Sequence, residues 1–170
     1  MTNYKNLYLE YKMKYINFKN KLKGGTNSTE IISELTILTP GEPYFIFGLN
    51  TCVGLVITKM KTGSEFTAES GIGIHILNAG KGNISHFIDT EFTERGKEML
   101  NDLERIISQW KKDDAIDIIF YTNSRNKQES TSILIAKLRD FFTKLDFKNV
   151  STEQQDVPFG ASGNIINVTI

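Results

Sequence analysis

Two stretches decide the fold: Cys52-Val53-Gly54-Leu55-Val56-Ile57-Thr58 and Gly71-Ile72-Gly73-Ile74-His75-Ile76-Leu77. Successive side chains of a β-strand point to opposite faces. In the second stretch Ile72, Ile74 and Ile76 therefore make one apolar face, and Gly71, Gly73 and His75 make the other. In the first, Val53, Leu55 and Ile57 share a face, and Cys52, Gly54 and Val56 share the opposite one. Each strand has a side that is small near its one polar, chemically able residue. If the strands pair with those sides aligned, Cys52 and His75 meet in a shallow pocket, with the glycines clearing space around the imidazole.

Working outward, Tyr44-Phe45-Ile46-Phe47 is a continuous apolar run, the pattern of a buried strand. The turn Gly48-Leu49-Asn50-Thr51 separates it from Cys52. Upstream, residues 31–39 are strand-like and Pro40-Gly41 makes a turn. Downstream, residues 91–111 read as a helix whose Met99, Leu100, Leu103, Ile106, Ile107 and Trp110 share a stripe. Asp89 or Thr90 is placed to cap it. Residues 115–122 read as a strand. A second helix is expected over 127–145, with Leu134, Leu138, Phe141, Phe142 and Leu145 inward. Strands near 148–152 and 164–170 follow. The expected fold is α+β, a compact mixed β-sandwich flanked by two long helices and preceded by an N-terminal helix.

Composition narrows the function classes. The chain has 170 residues, 20 basic against 20 acidic, and 39% hydrophobic. That is one globular core, neither a disordered polyelectrolyte nor a basic nucleic-acid binder. No apolar run is long enough to span a membrane, and no apolar signal segment opens the chain. A single cysteine, Cys52, excludes an internal disulfide framework and a cysteine-cluster zinc site. Of the two histidines, His86 is expected in an exposed loop before the first helix, which leaves His75 as the partner for Cys52. Asp113-Asp114 reads as a solvated loop.

The charge is unevenly placed. Residues 1–25 hold six lysines against one acid, Glu10, so the rest of the chain is net acidic. Tyr4, Tyr8, Tyr11, Tyr15, Phe18 and Leu22 follow a heptad seam, and Gly24-Gly25 stops it as a helix C-cap does. Three readings stay open for this leader: a helix docked on its own domain, a helix that self-associates or binds a protein surface, or a basic helix lying on a membrane surface. Residues 26–32 read as a linker and 33–170 as the folded domain.

The chemistry expected of the pair is nucleophilic. An adjacent imidazole promotes the reactive thiolate. Backbone N–H groups of the tight turn before Cys52, at Asn50 and Thr51, are placed to hold an oxyanion. These parts suffice for acyl transfer or amide hydrolysis. The competing reading is an inert buried cysteine that only packs.

The order of these motifs resembles the chemoreceptor glutamine deamidases of the CheD family. Their strand, Pro-Gly turn, strand and "GLGSCV" look like Glu34-Leu35-Thr36-Ile37-Leu38-Thr39-Pro40-Gly41 and then Tyr44-Phe45-Ile46-Phe47-Gly48-Leu49-Asn50-Thr51-Cys52-Val53. Their "GxAHIxLP" looks like the stretch from Gly71 through His75 to Asn78, "YxDTA" like Phe87-Ile88-Asp89-Thr90-Glu91, and "GxRN" like Asn123-Ser124-Arg125-Asn126. The resemblance covers roughly residues 33–170. It implies a compact α/β sandwich, Cys52 as nucleophile and His75 as general base. It further implies hydrolysis of a protein glutamine side-chain amide, a protein substrate, and no metal or organic cofactor. Ile46 stands where the family has a threonine that orients the histidine. Asn50-Thr51 replaces Gly-Ser before the cysteine, and Phe159-Gly160-Ala161-Ser162-Gly163-Asn164 only loosely echoes the family's late "GGNxGR". The leader, Tyr8-Leu9-Glu10-Tyr11-Lys12-Met13-Lys14-Tyr15 through Gly24-Gly25, is similar to leaders of giant amoebal virus proteins, which implies a host-cytoplasmic or virion location. Three functions follow as expectations: an active deamidase, a catalytically weakened binding module of the same fold, or a virion-associated structural protein.

Overall fold

Residues with alternating or continuous apolar pattern pair into three sheets in a computed structural model. It describes residues 30–32, 34–49, 51–61, 68–78, 84–123, 129–157 and 165–170. The leader helix, Asn50, the stretch 124–126 and the stretch 159–164 lie outside the described residues. The strands are β1 (Glu30–Ile32), β2 (Leu35–Leu38), β3 (Tyr44–Phe47), β4 (Val53–Met60) and β5 (Ala68–Ile76). They continue with β6 (Phe87–Ile88), β7 (Glu91–Phe92), β8 (Ala115–Asn123), β9 (Asn149–Val157) and β10 (Ile165–Val168). Two helices, α1 (Glu94–Ile107) and α2 (Glu129–Lys144), are interleaved with them. The fold is mixed α+β.

The central sheet has five strands in the order β2-β5-β4-β8-β9. Its pairs are antiparallel except β8 with β9, which run parallel and are joined through α2. A parallel neighbour needs such a crossover. A second sheet has the order β1-β3-β10, and β6 with β7 makes a short hairpin.

The inner strands of the central sheet are apolar on both faces, and each face has its own cover, while the edge strand β9 is polar and largely exposed. Val53, Leu55, Ile57, Ile72, Ile74, Ile76, Ile118 and Phe120 pack against Met99, Leu103 and Ile107 of α1 and Leu134, Leu138 and Phe142 of α2. On the other side, Cys52, Val56, Leu38 and Val157 pack against Ile32, Tyr44, Ile46 and Val168 of the smaller sheet. The result is helices, five-stranded sheet and three-stranded sheet in layers. Among the described residues no helix is long and apolar enough to cross a membrane.

Three expectations are corrected. Residues 30–32, read as the end of a linker, form strand β1, and the single strand expected over 31–39 is divided between two sheets. The first helix begins at Glu94, not at 91. Thr93 is its N-cap, with Thr93 Oγ1 accepting from Gly96 N–H at 3.1 Å, because Glu91-Phe92 is drawn into the hairpin with Phe87-Ile88. The Asp113-Asp114 loop is not simply solvated. Asp114 accepts from the Lys111 N–H at 2.9 Å and pairs with Lys59 at 3.3 Å.

Candidate functional site: a cysteine and two histidines at the end of β4 and β5

The register of β4 on β5 sets Gly54 opposite His75, Val56 opposite Gly73 and Thr58 opposite Gly71. Paired residues of neighbouring strands point the same way. Continued by one residue beyond Val53, this register puts Cys52 opposite Leu77. Cys52 and His75 are then diagonal neighbours on one face, a separation long side chains can bridge. Cys52 is 6% exposed and sits in the core between the two sheets. The turn before it is anchored by Leu49, which is fully buried, and by Gly48, whose φ of 69° favours glycine.

Contrary to the expectation from the sequence, the glycines do not clear space around the imidazole. A Cβ on Gly73 would lie 2.4 Å from Ile32 Cδ1, and one on Gly71 would lie 2.4 Å from Ile170 Cδ1. A Cβ on Gly54 would meet Ile46 Cδ1 at 3.1 Å. The missing side chains make room for isoleucines of the covering layer. The hollow is filled, and it is filled beside His75 by Ile46.

Donors converge on the sulfur. The Asn78 N–H, the Thr51 hydroxyl and the Thr51 N–H hydrogen-bond Cys52 and favour its thiolate, but burial outweighs them and pushes the thiol up from its ordinary value. Thr51, expected to hold an oxyanion, is thus placed on the nucleophile itself. Asn50, its expected companion, lies outside the described residues. The Asn78 side chain is buried and makes long hydrogen bonds, each 3.4 Å, to Ser130 and Thr131 at the start of α2.

His75 donates its backbone N–H to Glu34 O at 2.9 Å, which continues the β2–β5 ladder by one bond. Its Nε2 is buried and has no hydrogen-bond partner. Burial, and then the neighbouring His86 ring, pull its pKa down to about 4. His75 is therefore a neutral imidazole near pH 7, able to accept a proton, and Cys52 on the same face is a neutral thiol rather than a thiolate.

His86 was expected to be exposed and is fully buried. Its Nδ1 accepts from the Leu77 N–H at 3.0 Å, so the ring proton sits on Nε2. That Nε2 has no hydrogen-bond partner and lies 4.0 Å from Glu34 Oε1. The carboxylate pairs with Arg95, and burial lowers the His86 pKa to about 4, so the ring carries a single proton near pH 7. The sequence signal for this burial is weak. Ser85-His86-Phe87 alternates in no useful way, and the backbone of this stretch is held by the α1 cap, which local pattern does not reveal. Among the described residues, no three His, Cys, Asp or Glu side chains group as metal ligands would. Compared with known proteins, the chain matches no family model and no curated protein.

Proposed function

We propose that the chain is a cysteine-dependent amide hydrolase acting on glutamine side chains of a protein, with Cys52 as nucleophile and His75 as base. The observation that carries this reading is the β4–β5 register, which puts both groups on one face with hydrogen-bond donors around the sulfur. His75 takes the Cys52 proton as the sulfur attacks the amide carbon. The Cys52 N–H and the turn before it hold the carbonyl oxygen as it gains charge. His75 then returns the proton to the leaving nitrogen, ammonia departs, and water hydrolyses the thioester to glutamate and free thiol. No cofactor enters these steps. The resemblance of the leader extends the proposal to a host-cytoplasmic or virion protein whose basic segment engages another protein or a second copy.

A second reading is favoured by a specific observation. Ile46 is fully buried over Gly54, where the resembled family has a threonine. With the thiol pushed up and the imidazole at about 4, proton transfer at rest is uphill. Each pKa unit of separation costs about 1.4 kcal/mol. In this reading the chain is a binding module of the same fold with weakened chemistry. Ammonia release from glutamine-bearing peptides, followed with the amide-to-acid mass change, decides between them. The enzymatic reading expects release that is lost in Cys52→Ser and in His75→Ala. Release that survives His75→Ala would remove His75 as the base, and no release from any peptide would favour the binding module.

A further inference from the structure

The histidine that the mechanism does not use holds the same short segment that supplies a donor to the sulfur. Both backbone groups of Leu77 are bound by residue 86. The Leu77 N–H donates to His86 Nδ1 at 3.0 Å, and the Leu77 carbonyl accepts from the His86 N–H at 2.9 Å and from the Phe87 N–H at 3.2 Å. The next residue, Asn78, sends its N–H to Cys52.

His86 is itself fixed from behind. Its carbonyl accepts from the Thr93 N–H at 3.0 Å, while Thr93 Oγ1 donates to Ser85 O at 2.7 Å. A Cβ on Gly96 would come within 2.0 Å of the His86 carbonyl oxygen, so the first turn of α1 rests directly on this backbone. The chain of contacts runs from the α1 cap to His86, from His86 to Leu77, and from Asn78 to the sulfur. A β-strand ends at Ile76, so the ladder alone does not hold residues 77 and 78. The His86 ring supplies the acceptor that the vanished strand neighbour would have supplied.

From this geometry we infer that His86 is a positioning residue for Cys52: by gripping Leu77 it keeps the Asn78 N–H on the sulfur and so sets how readily the thiol ionises. The catalytic meaning of this role rests on Cys52 being the working thiol of the proposed reaction; its effect on the ionisation of Cys52 does not. A buried polar ring is costly where its nitrogens are unpaired; the His86 Nε2 has no partner, and the one hydrogen bond of the ring, at Nδ1, is made to the segment next to the nucleophile.

The test reads ionisation of Cys52 directly. It is the chain's one cysteine, so a full-length protein labelled with 13C at cysteine Cβ gives one resonance whose shift titrates with the thiol. Asparagine at position 86 places its side-chain oxygen where Nδ1 stands and keeps the acceptor; glutamine carries its oxygen farther out and loses it. His86→Gln is expected to lower the Cys52 ionisation constant about tenfold, the effect of losing one hydrogen bond to a charged sulfur. His86→Asn is expected to stay within about twofold of the wild type, since the bond is retained. Equal shifts in both variants, or none in either, would overturn the inference. Should His86→Gln not fold, the wild type still decides. The Asn78 amide resonance must move with the thiol titration, and an amide that stays still means its N–H is not on the sulfur. Ammonia release plays no part in this readout. A wild type that hydrolyses no amide yet titrates as described removes the enzymatic reading and leaves the role of His86 standing, whereas amide hydrolysis with an unshifted His86→Gln removes the role of His86 alone.

Discussion

Ile46 shows how much a single buried side chain can decide. It is fully covered, lies over Gly54, and so sits beside the register partner of His75. A hydroxyl at this place could accept from or donate to the imidazole and raise its basicity. Ile46→Thr is therefore expected to raise ammonia release at least several-fold, at a stability cost of about 1–3 kcal/mol for burying a hydroxyl in an apolar layer. Rates and denaturant midpoints measured on the same preparation check both parts, and a variant no faster than the wild type would assign Ile46 no part in weakening the site. At this scale periodicity governs which side of the sheet a residue takes. Strand alternation puts Cys52 and His75 on one side, and the register makes them diagonal neighbours there. The sequence reading failed for His86, because the ring is drawn in by a hydrogen bond to Leu77, nine residues back along the chain, and for Thr51, because no pattern reveals that its hydroxyl turns to the sulfur.

At the scale of elements, the glycines separate two kinds of close approach. Gly96 meets backbone: a Cβ there would stand 2.0 Å from the His86 carbonyl oxygen. Gly71 meets Cδ1 of Ile170, the far end of a flexible side chain that can swing away. Gly96→Ala is expected to cost about 2–3 kcal/mol by overpacking and Gly71→Ala less than about 1 kcal/mol; equilibrium unfolding of the two variants checks the order, and equal costs would contradict it. The same contrast explains what could be read of the elements beforehand. The long apolar strands and the helix stripe through Met99, Leu103 and Ile107 carry their own periodicity. The split of 31–39 into β1 and β2 and the capture of Glu91-Phe92 by a hairpin come from partners far along the chain, which local pattern does not record.

For the whole molecule, two imidazoles are held in neutral form: His86 is fully buried, and His75 is half-buried with its Nε2 covered. Both His75 and His86 have pKa values of about 4 in the fold, set first by burial. In the unfolded chain each takes up its proton near the ordinary value of about 6.5. Between about 4 and 6.5 the unfolded state therefore binds more protons. The stabilisation from keeping these rings neutral is complete above about 6.5 and is lost as pH falls to about 4, after which it changes no further. Stability is expected to drop by about 1 kcal/mol or more per pH unit through this window, with the drop roughly halved in His86→Asn. Urea unfolding at half-unit pH steps measures it, and a flat profile from 7 to 4 would mean the rings are not enclosed as neutral groups. The layering of helices, sheet and sheet was readable from strands interleaved with two helices. That the covering sheet fills the glycine-lined face, instead of leaving a hollow, was not, since the isoleucines that fill it lie in Ile32, Ile46 and Ile170, remote in sequence from the strand they cover.

The reactivity of Cys52 toward a small alkylating amide such as iodoacetamide, followed by mass spectrometry from pH 5 to 9 in the wild type and in His75→Ala, tests the cysteine–histidine pairing most directly. The account predicts that the wild type reacts about tenfold or more faster near pH 7 than the variant, because the imidazole removes the thiol proton as the sulfur attacks. Superimposable pH–rate curves for the two proteins would contradict it.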